Sequence, residues 1–328
     1  MRVLAAALCC TLAGSAGAWA QSTLGAAAST AAAGTVESGG FANRLNREQR
    51  LQDLGWRLAS ANAAFCRESQ PSTGLQLLDT ASFRRPDAIR RELGLEHSFA
   101  VLTAADGSPA EQAGLEAREP VTHINGFELE SWSAVEPFAW QRAELAHDLL
   151  ETMLVLHGQV TLSRPGKPDL TLKGEPACAT RFELAGGDDI ALADGKRVRI
   201  SAGYPAFSYP QDELAAVIAH ELAHNVLGHR VWLDANGRKQ SNVRLTEREA
   251  DRLAPWLLAN AGFEPHAALR FINRWGPEHA GGLFRKRTHE GWDERAERIA
   301  AEIPLVLEAI ARDGKADWSQ HFQREIEP

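Results

Sequence analysis

The sequence predicts an α+β fold: a helical core with a small β-sheet, interrupted by a β-rich insertion. Two observations among the 328 residues carry this expectation. Apolar residues recur at helical spacing in two places, from Leu45 to Ala61 and from Leu214 to Val226. Between about Gln70 and Pro176 that period gives way to short apolar runs separated by turn residues, the pattern of a β-rich segment.

The first twenty residues have the form of an export signal. Arg2 supplies the n-region charge, Val3 to Ala13 the apolar run and Ala18-Trp19-Ala20 a small-x-small cleavage site. Mature protein is then expected to begin at Gln21. The apolar run is too short to span a bilayer, and no later stretch approaches about 18 continuous apolar residues, so no membrane insertion of the mature chain is expected. The predicted location is the periplasm or the exterior. Residues 21–40, almost all Ala, Ser, Thr and Gly, bury too little apolar surface to order themselves and read as a flexible linker.

From residue 41 to about 70 Leu45, Leu51, Leu54, Leu58 and Ala61, with Trp56 between them, predict an amphipathic helix ending near Cys66. With the signal removed, two cysteines remain, Cys66 and Cys178, in a compartment that permits oxidation. One disulfide between them is expected, two buried free thiols being the alternative. They flank the β-rich segment, 71–176, so a bridge would staple the two ends of an insertion and assign 177–328 to the same domain as the N-terminal helix.

Charge narrows the function classes. A formal net charge of −8 and no dense Lys/Arg block leave no electrostatic footprint for nucleic acid. Hydrophobic content of 44% and charged content of 24% describe an ordinary globular chain.

The chemistry concentrates on the helix expected from Asp212 to Gly228. Pro210 precedes it, Asp212 and Glu213 complement its N-terminal dipole, and Gly228 ends it. Leu214, Ile218, Leu222 and Val226 form its core stripe. His220 and His224 are four residues apart, so both imidazoles leave one face at a separation that suits a single tetrahedral metal ion. Glu221 points about 100° further round the helix, where it can reach water on that metal. Ala216, Ala219 and Ala223 leave room beside the rings.

Downstream stands Thr246-Glu247-Arg248-Glu249-Ala250-Asp251. Thr246 and Glu249 have the spacing of a capping box, which gives Glu249 a structural task at a helix start and leaves Glu247 for the metal. Glu249 is the alternative ligand. Asp251, one turn after Glu247, is placed to accept the outer ring N–H of a ligand histidine. Pro255 is expected to kink or end this second helix. His229, just past the end of the first helix, is assigned to the C-terminal dipole. His97, His123, His147, His157, His266 and His279 lack partners at ligand spacing and read as surface or packed residues.

His220-Glu221-Leu222-Ala223-His224 followed by Glu247-Arg248-Glu249-Ala250-Asp251 resembles the gluzincin metallopeptidases of family M48, with their His-Glu-x-x-His and Glu-x-x-Ala-Asp motifs. The resemblance extends upstream over Asp212 to Ala219 and downstream through Ala261-Gly262-Phe263-Glu264-Pro265. It implies a zincin-like fold for 177–328 and one Zn2+ per chain on His220, His224 and Glu247. It also implies Glu221 as general base, and protein or peptide substrates cleaved internally. Thr288-His289 followed by Arg295 resembles a further family segment and implies that His289 helps to stabilise the reaction intermediate, a surface histidine being the alternative. Arg197 to Ser201 resembles the edge strand along which such enzymes align an extended substrate.

Gly107-Ser108-Pro109-Ala110, Ala113-Gly114-Leu115 and Ile124-Asn125-Gly126 resemble bacterial PDZ domains, which implies peptide capture by edge-strand addition in 71–176. The rival functional reading is a peptide-binding or chaperone-like protein without hydrolysis.

Overall fold

The computed structural model describes residues 38–133, 139–187, 189–279 and 291–326. Helix α1, Ser38–Ala61, carries the predicted stripe, with Leu51, Leu54 and Leu58 fully buried. It stops at Ala61 because Asn62 turns the chain, its carbonyl accepting from the N–H groups of Phe65 and Cys66. The Asn62 side chain donates to the carbonyls of Leu58 and Leu257 and accepts from Asn260 and Trp318, tying the end of α1 to the C-terminal half of the chain.

Strand β1, Ser69–Ser72, then leads into β2, Leu75–Asp79, helix α2, Pro86–Leu93, and β3, Phe99–Ala104. The short helix α3, Pro109–Gln112, follows, capped by Ser108, whose hydroxyl accepts the N–H of Glu111. Next come β4, His123–Ile124, and β5, Phe127–Glu128, joined at Asn125 and Gly126, with φ of 48° and 82°. Two consecutive positive φ values make this a tight hairpin turn, and Asn-Gly tolerates them. Helix α4, Gln141–His157, precedes β6, Gln159–Ser163, β7, Leu170–Lys173, and β8, Glu175–Cys178. Strands β5-β4-β6-β7 form one antiparallel sheet, and among the described residues β2 and β3 form a separate two-stranded sheet. Phe99, Ile124, Leu129, Val160 and Leu162 form an apolar cluster of this region.

The segment is clamped where it leaves and rejoins the rest of the chain. Strands β1 and β8 pair antiparallel from Ser69↔Cys178 to Ser72↔Glu175, and a Cys66–Cys178 disulfide with Cα atoms 5.6 Å apart closes the base. The bridge joins residues 112 apart in sequence, and a loop of roughly 100 residues gives about 4.7 kcal/mol in the chain-entropy account. Replacing both cysteines by serine is expected to lower unfolding free energy by about 2–5 kcal/mol. Urea midpoints of parent and variant with equal slopes measure it, and equal midpoints would count against it.

After the clamp come β9, Arg181–Ala185, β10, Ala191–Ala193, and β11, Arg197–Ser201. The order is β10-β11-β9, with β11 antiparallel to β10 and parallel to β9. The expectation that 197–201 is an edge strand is therefore corrected: β11 lies in the middle, and the edge on that side is β10. Alternation reports a buried face, here Val198 and Ile200, and carries no information about pairing on either side. Helix α1 packs against β9 closely enough that a Cβ at Gly55 would overlap the Phe182 ring.

Among the described residues six further helices follow: α5, Gln211–Val226, α6, His229–Asn236, α7, Gln240–Asn260, α8, Ala267–His279, α9, Trp292–Asp313, and the short α10, Trp318–His321. Helix α5 is the hub, packed against α1, α7, α8 and the β9–β11 sheet. Its alanines make this possible, since Ala215, Ala216, Ala219 and Ala223 are all buried and let neighbours approach on several sides.

Two expectations about α7 are corrected. It starts six residues before Thr246, so Thr246 is an interior residue whose hydroxyl donates to the Val243 carbonyl, and no capping box exists there. Pro255 neither ends nor divides it. The proline forfeits one backbone hydrogen bond, but Leu253, Trp256, Leu257 and Leu258, all at 1% exposure or less, hold the turns on either side. No helix among the described residues is long and apolar enough to cross a membrane.

Candidate metal centre

Helix α5 begins at Gln211 after Pro210, with Asp212 and Glu213 in its first turn, and Gly228 at φ 69° closes it, as the sequence predicted. Glu213 is buried and held by Arg274 of α8 through hydrogen bonds of 2.6 and 3.0 Å. Further along the same helix His220 and His224 face Glu247 of α7.

The two Nε2 atoms lie 3.3 Å apart. Glu247 of α7 faces both, Oε2 at 3.5 Å from His220 Nε2 and Oε1 at 3.6 Å from His224 Nε2. Donor atoms bonded at about 2.1 Å to one tetrahedral ion lie about 3.4 Å from each other, so the triangle has the edges such an ion requires. Among the described residues, this is the cluster whose ligand atoms converge in this way.

The electrostatics suit a cation. Asp251 accepts from His220 Nδ1 at 3.1 Å and receives a two-pronged contact from Arg295 of α9, at 2.8 and 2.6 Å. Burial alone would raise the Asp251 carboxyl, but the Arg295 charge and the donors from His220 and Arg295 overcome it and hold it at about 2. Burial likewise opposes charge on His220, yet Asp251 and Glu247 push that imidazole up to about 10. The field at the triangle thus favours positive charge, the condition a divalent ion needs. Burial and the neighbouring histidines lower His224 to about 3, leaving it neutral, the form that ligates.

Glu249, the alternative ligand, points away from the triangle. It is buried beside His229 and the C-terminal segment, at 3.0 Å from His229 Nε2 and 2.9 Å from Arg324 Nε, and it accepts the N–H groups of Glu325 and Ile326. His229 is not a surface residue on a helix dipole. Gly228 turns the chain back so that His229 is 1% exposed, with its Nδ1 at 2.9 Å from His224 Nδ1. The five-residue step from His224 matches no single helix face, so sequence spacing hid it.

The histidines open onto a cleft of about 510 Å³. Ala191, Leu192 and Ala193 of the edge strand β10 line one part, Phe271 and Trp275 of α8 another, with Glu221 and Tyr204 beside the histidines. Burial and the negative charge of Glu221 push the Tyr204 phenol up, so it remains an O–H donor. Nothing in the sequence pattern singles out Tyr204, and Arg295 figures there only as a residue downstream of the Thr288-His289 pair. His289 lies outside the described residues.

His147 is a packed residue, as read from sequence. Its Nε2 accepts the Leu77 N–H of β2, and its Nδ1 donates to the Ala143 carbonyl. Helix α4 therefore covers β2 at Leu77. No family model, no curated protein and no solved structure matches this chain.

Proposed function

We propose that this chain is a zinc metalloendopeptidase of an oxidising, extracytoplasmic compartment, hydrolysing unfolded or flexible protein segments, with a role in envelope protein quality control. The observation that carries the reading is the triangle of His220, His224 and Glu247 donors opening on a cleft that Glu221 also lines. The resemblance to family M48 rests on the same residues.

His220, His224 and Glu247 would hold a zinc ion, which when bound would supply Lewis acidity toward a peptide carbonyl and toward water. Glu221 takes the proton of the attacking water and passes it to the departing amine. Tyr204 offers an O–H donor within the cleft, and His289 remains a candidate helper for the oxyanion. Asp251 holds the His220 ring from behind, and Arg295 holds Asp251.

Strand β10 is the element suited to align substrate, because it is a sheet edge and lines the cleft with Ala191, Leu192 and Ala193. An extended segment paired with it adds a strand without needing particular side chains, which suits unfolded chains. The PDZ-like segment, 71–176, is read as a separate capture module. Its strand β2 gives the Leu77 N–H to His147, so strand addition there would have to displace that ring.

Metal removal tests the reading. The purified protein is expected to carry one zinc per chain, to lose cleavage of a reduced, unfolded protein on dialysis against a strong chelator, and to regain it with one equivalent of Zn2+. Undiminished cleavage by chain stripped of metal sinks the proposal.

A further inference from the structure

We infer that His229 and Glu249 form a positioning relay which sets the ring orientation and tautomer of His224, and that the C-terminal segment is its outer anchor. This rests on the metal-centre reading above. It concerns residues to which that reading assigns no role.

The direction of the hydrogen bonds follows from counting donors. Glu249 is an acceptor throughout: Oε1 takes the backbone N–H groups of Glu325 and Ile326, and Oε2 takes Arg324 Nε at 2.9 Å and His229 Nε2 at 3.0 Å. His229 must therefore carry its proton on Nε2. Buried at 1% exposure, it is disfavoured as a cation, and a neutral ring with Nε2–H has a bare Nδ1. That nitrogen lies 2.9 Å from His224 Nδ1, so the proton between them belongs to His224. His224 then presents an Nε2 lone pair, and it is Nε2 that faces His220 and Glu247.

The two ligand histidines thus reach carboxylates by different routes. His220 bonds to Asp251 directly, whereas His224 reaches Glu249 through a second imidazole. The second route runs to the far end of the chain, 75 residues beyond Glu249 at Arg324. Docking of residues 324–326 orders the Glu249 oxygens, these orient His229, and His229 orients His224. Without the relay the His224 ring can rotate, or place its proton on Nε2, where it opposes a metal ion.

The test measures zinc affinity of the full-length protein by competition with a chromophoric chelator, together with nitrogen-15 spectra of the zinc-loaded histidines. His229→Leu is expected to weaken zinc binding about 10–100-fold, the usual cost of losing such an outer partner. His229→Gln, whose amide can accept from His224 and donate to Glu249, is expected to recover part of that loss, and the parent spectrum is expected to place the His224 proton on Nδ1. Affinity of His229→Leu within twofold of the parent overturns the relay, as does a His224 proton on Nε2. If His229→Leu fails to fold, Arg324→Leu at the half-buried outer end decides: weakening of several-fold supports the relay and an unchanged affinity overturns it. A parent chain that binds no zinc defeats the metal-centre reading itself, which is a different result from a parent that binds and a variant that binds equally.

Discussion

Glu221→Gln is expected to reduce cleavage of an unfolded protein by roughly 10²–10⁴-fold while zinc content stays at the parent level. The substitution keeps the size of the side chain and removes its capacity to accept a proton. Glu221 is 8% exposed and lies on the cleft wall between the two histidines in sequence, so an isosteric amide leaves the packing of α5 undisturbed. His220, His224 and Glu247 are untouched, which is why the metal is expected to remain. Turnover of a reduced substrate and metal content measured on one sample separate the two effects. A variant within tenfold of the parent, with zinc bound, means that Glu221 is not the base. Loss of zinc together with activity means that the side chain supports the site rather than the reaction.

Arg295→Met is expected to destabilise the metal-free protein by about 3–5 kcal/mol, because it removes one partner of a buried ion pair and leaves the other. The Arg295 side chain is 11% exposed and that of Asp251 2%, and methionine replaces the length of the arginine stem but none of its charge. The stranded Asp251 carboxylate keeps its contact with His220, and the Arg298 charge still acts on it, but neither replaces the two-pronged contact from Arg295. The pH dependence has a definite sign. Asp251 has a folded pKa of about 2, below the ordinary carboxylate range, so its contribution is complete at neutral pH and is lost as pH falls through about 2. Removing Arg295 raises that folded value, so the variant should lose its native state at a higher pH than the parent does. Denaturant midpoints from pH 3 to 7 read this directly. The double change Arg295→Met with Asp251→Asn should recover part of the loss, and simple additivity of the two would show that the pair is not coupled.

The parts of the centre that were legible in the sequence are those whose geometry one helix enforces. His220 and His224 share a face because they are four residues apart, and Asp251 follows Glu247 by the same step, so each pair was readable before any packing was known. Glu249 is not occupied by a capping box: Thr246 lies inside α7 and caps nothing, and Glu249 is engaged by His229 and the C-terminal segment instead. The same outcome, Glu247 at the histidines, has another cause. Helical spacing puts Glu247 and Asp251 on the side of α7 that meets α5, and Glu249, two residues along, on a different side.

By itself the sequence determined the local chemistry of this protein: the helix that presents His220, Glu221 and His224, the acidic partners one turn apart on α7, the Asn-Gly hairpin and the flanking cysteines. Periodicity, turn chemistry and side-chain type act over a few residues, and a chain states them directly. Only the tertiary structure decided which strand is the free edge of the sheet, that His229 folds back onto His224, that Arg295 secures Asp251, and that Arg324 to Ile326 close on Glu249. The Arg295 and C-terminal contacts join residues from 44 to 77 positions apart, the His229 contact crosses a left-handed glycine turn, and the sheet edge depends on which strands pair. No spacing rule encodes them, because they arise from how whole helices and strands pack.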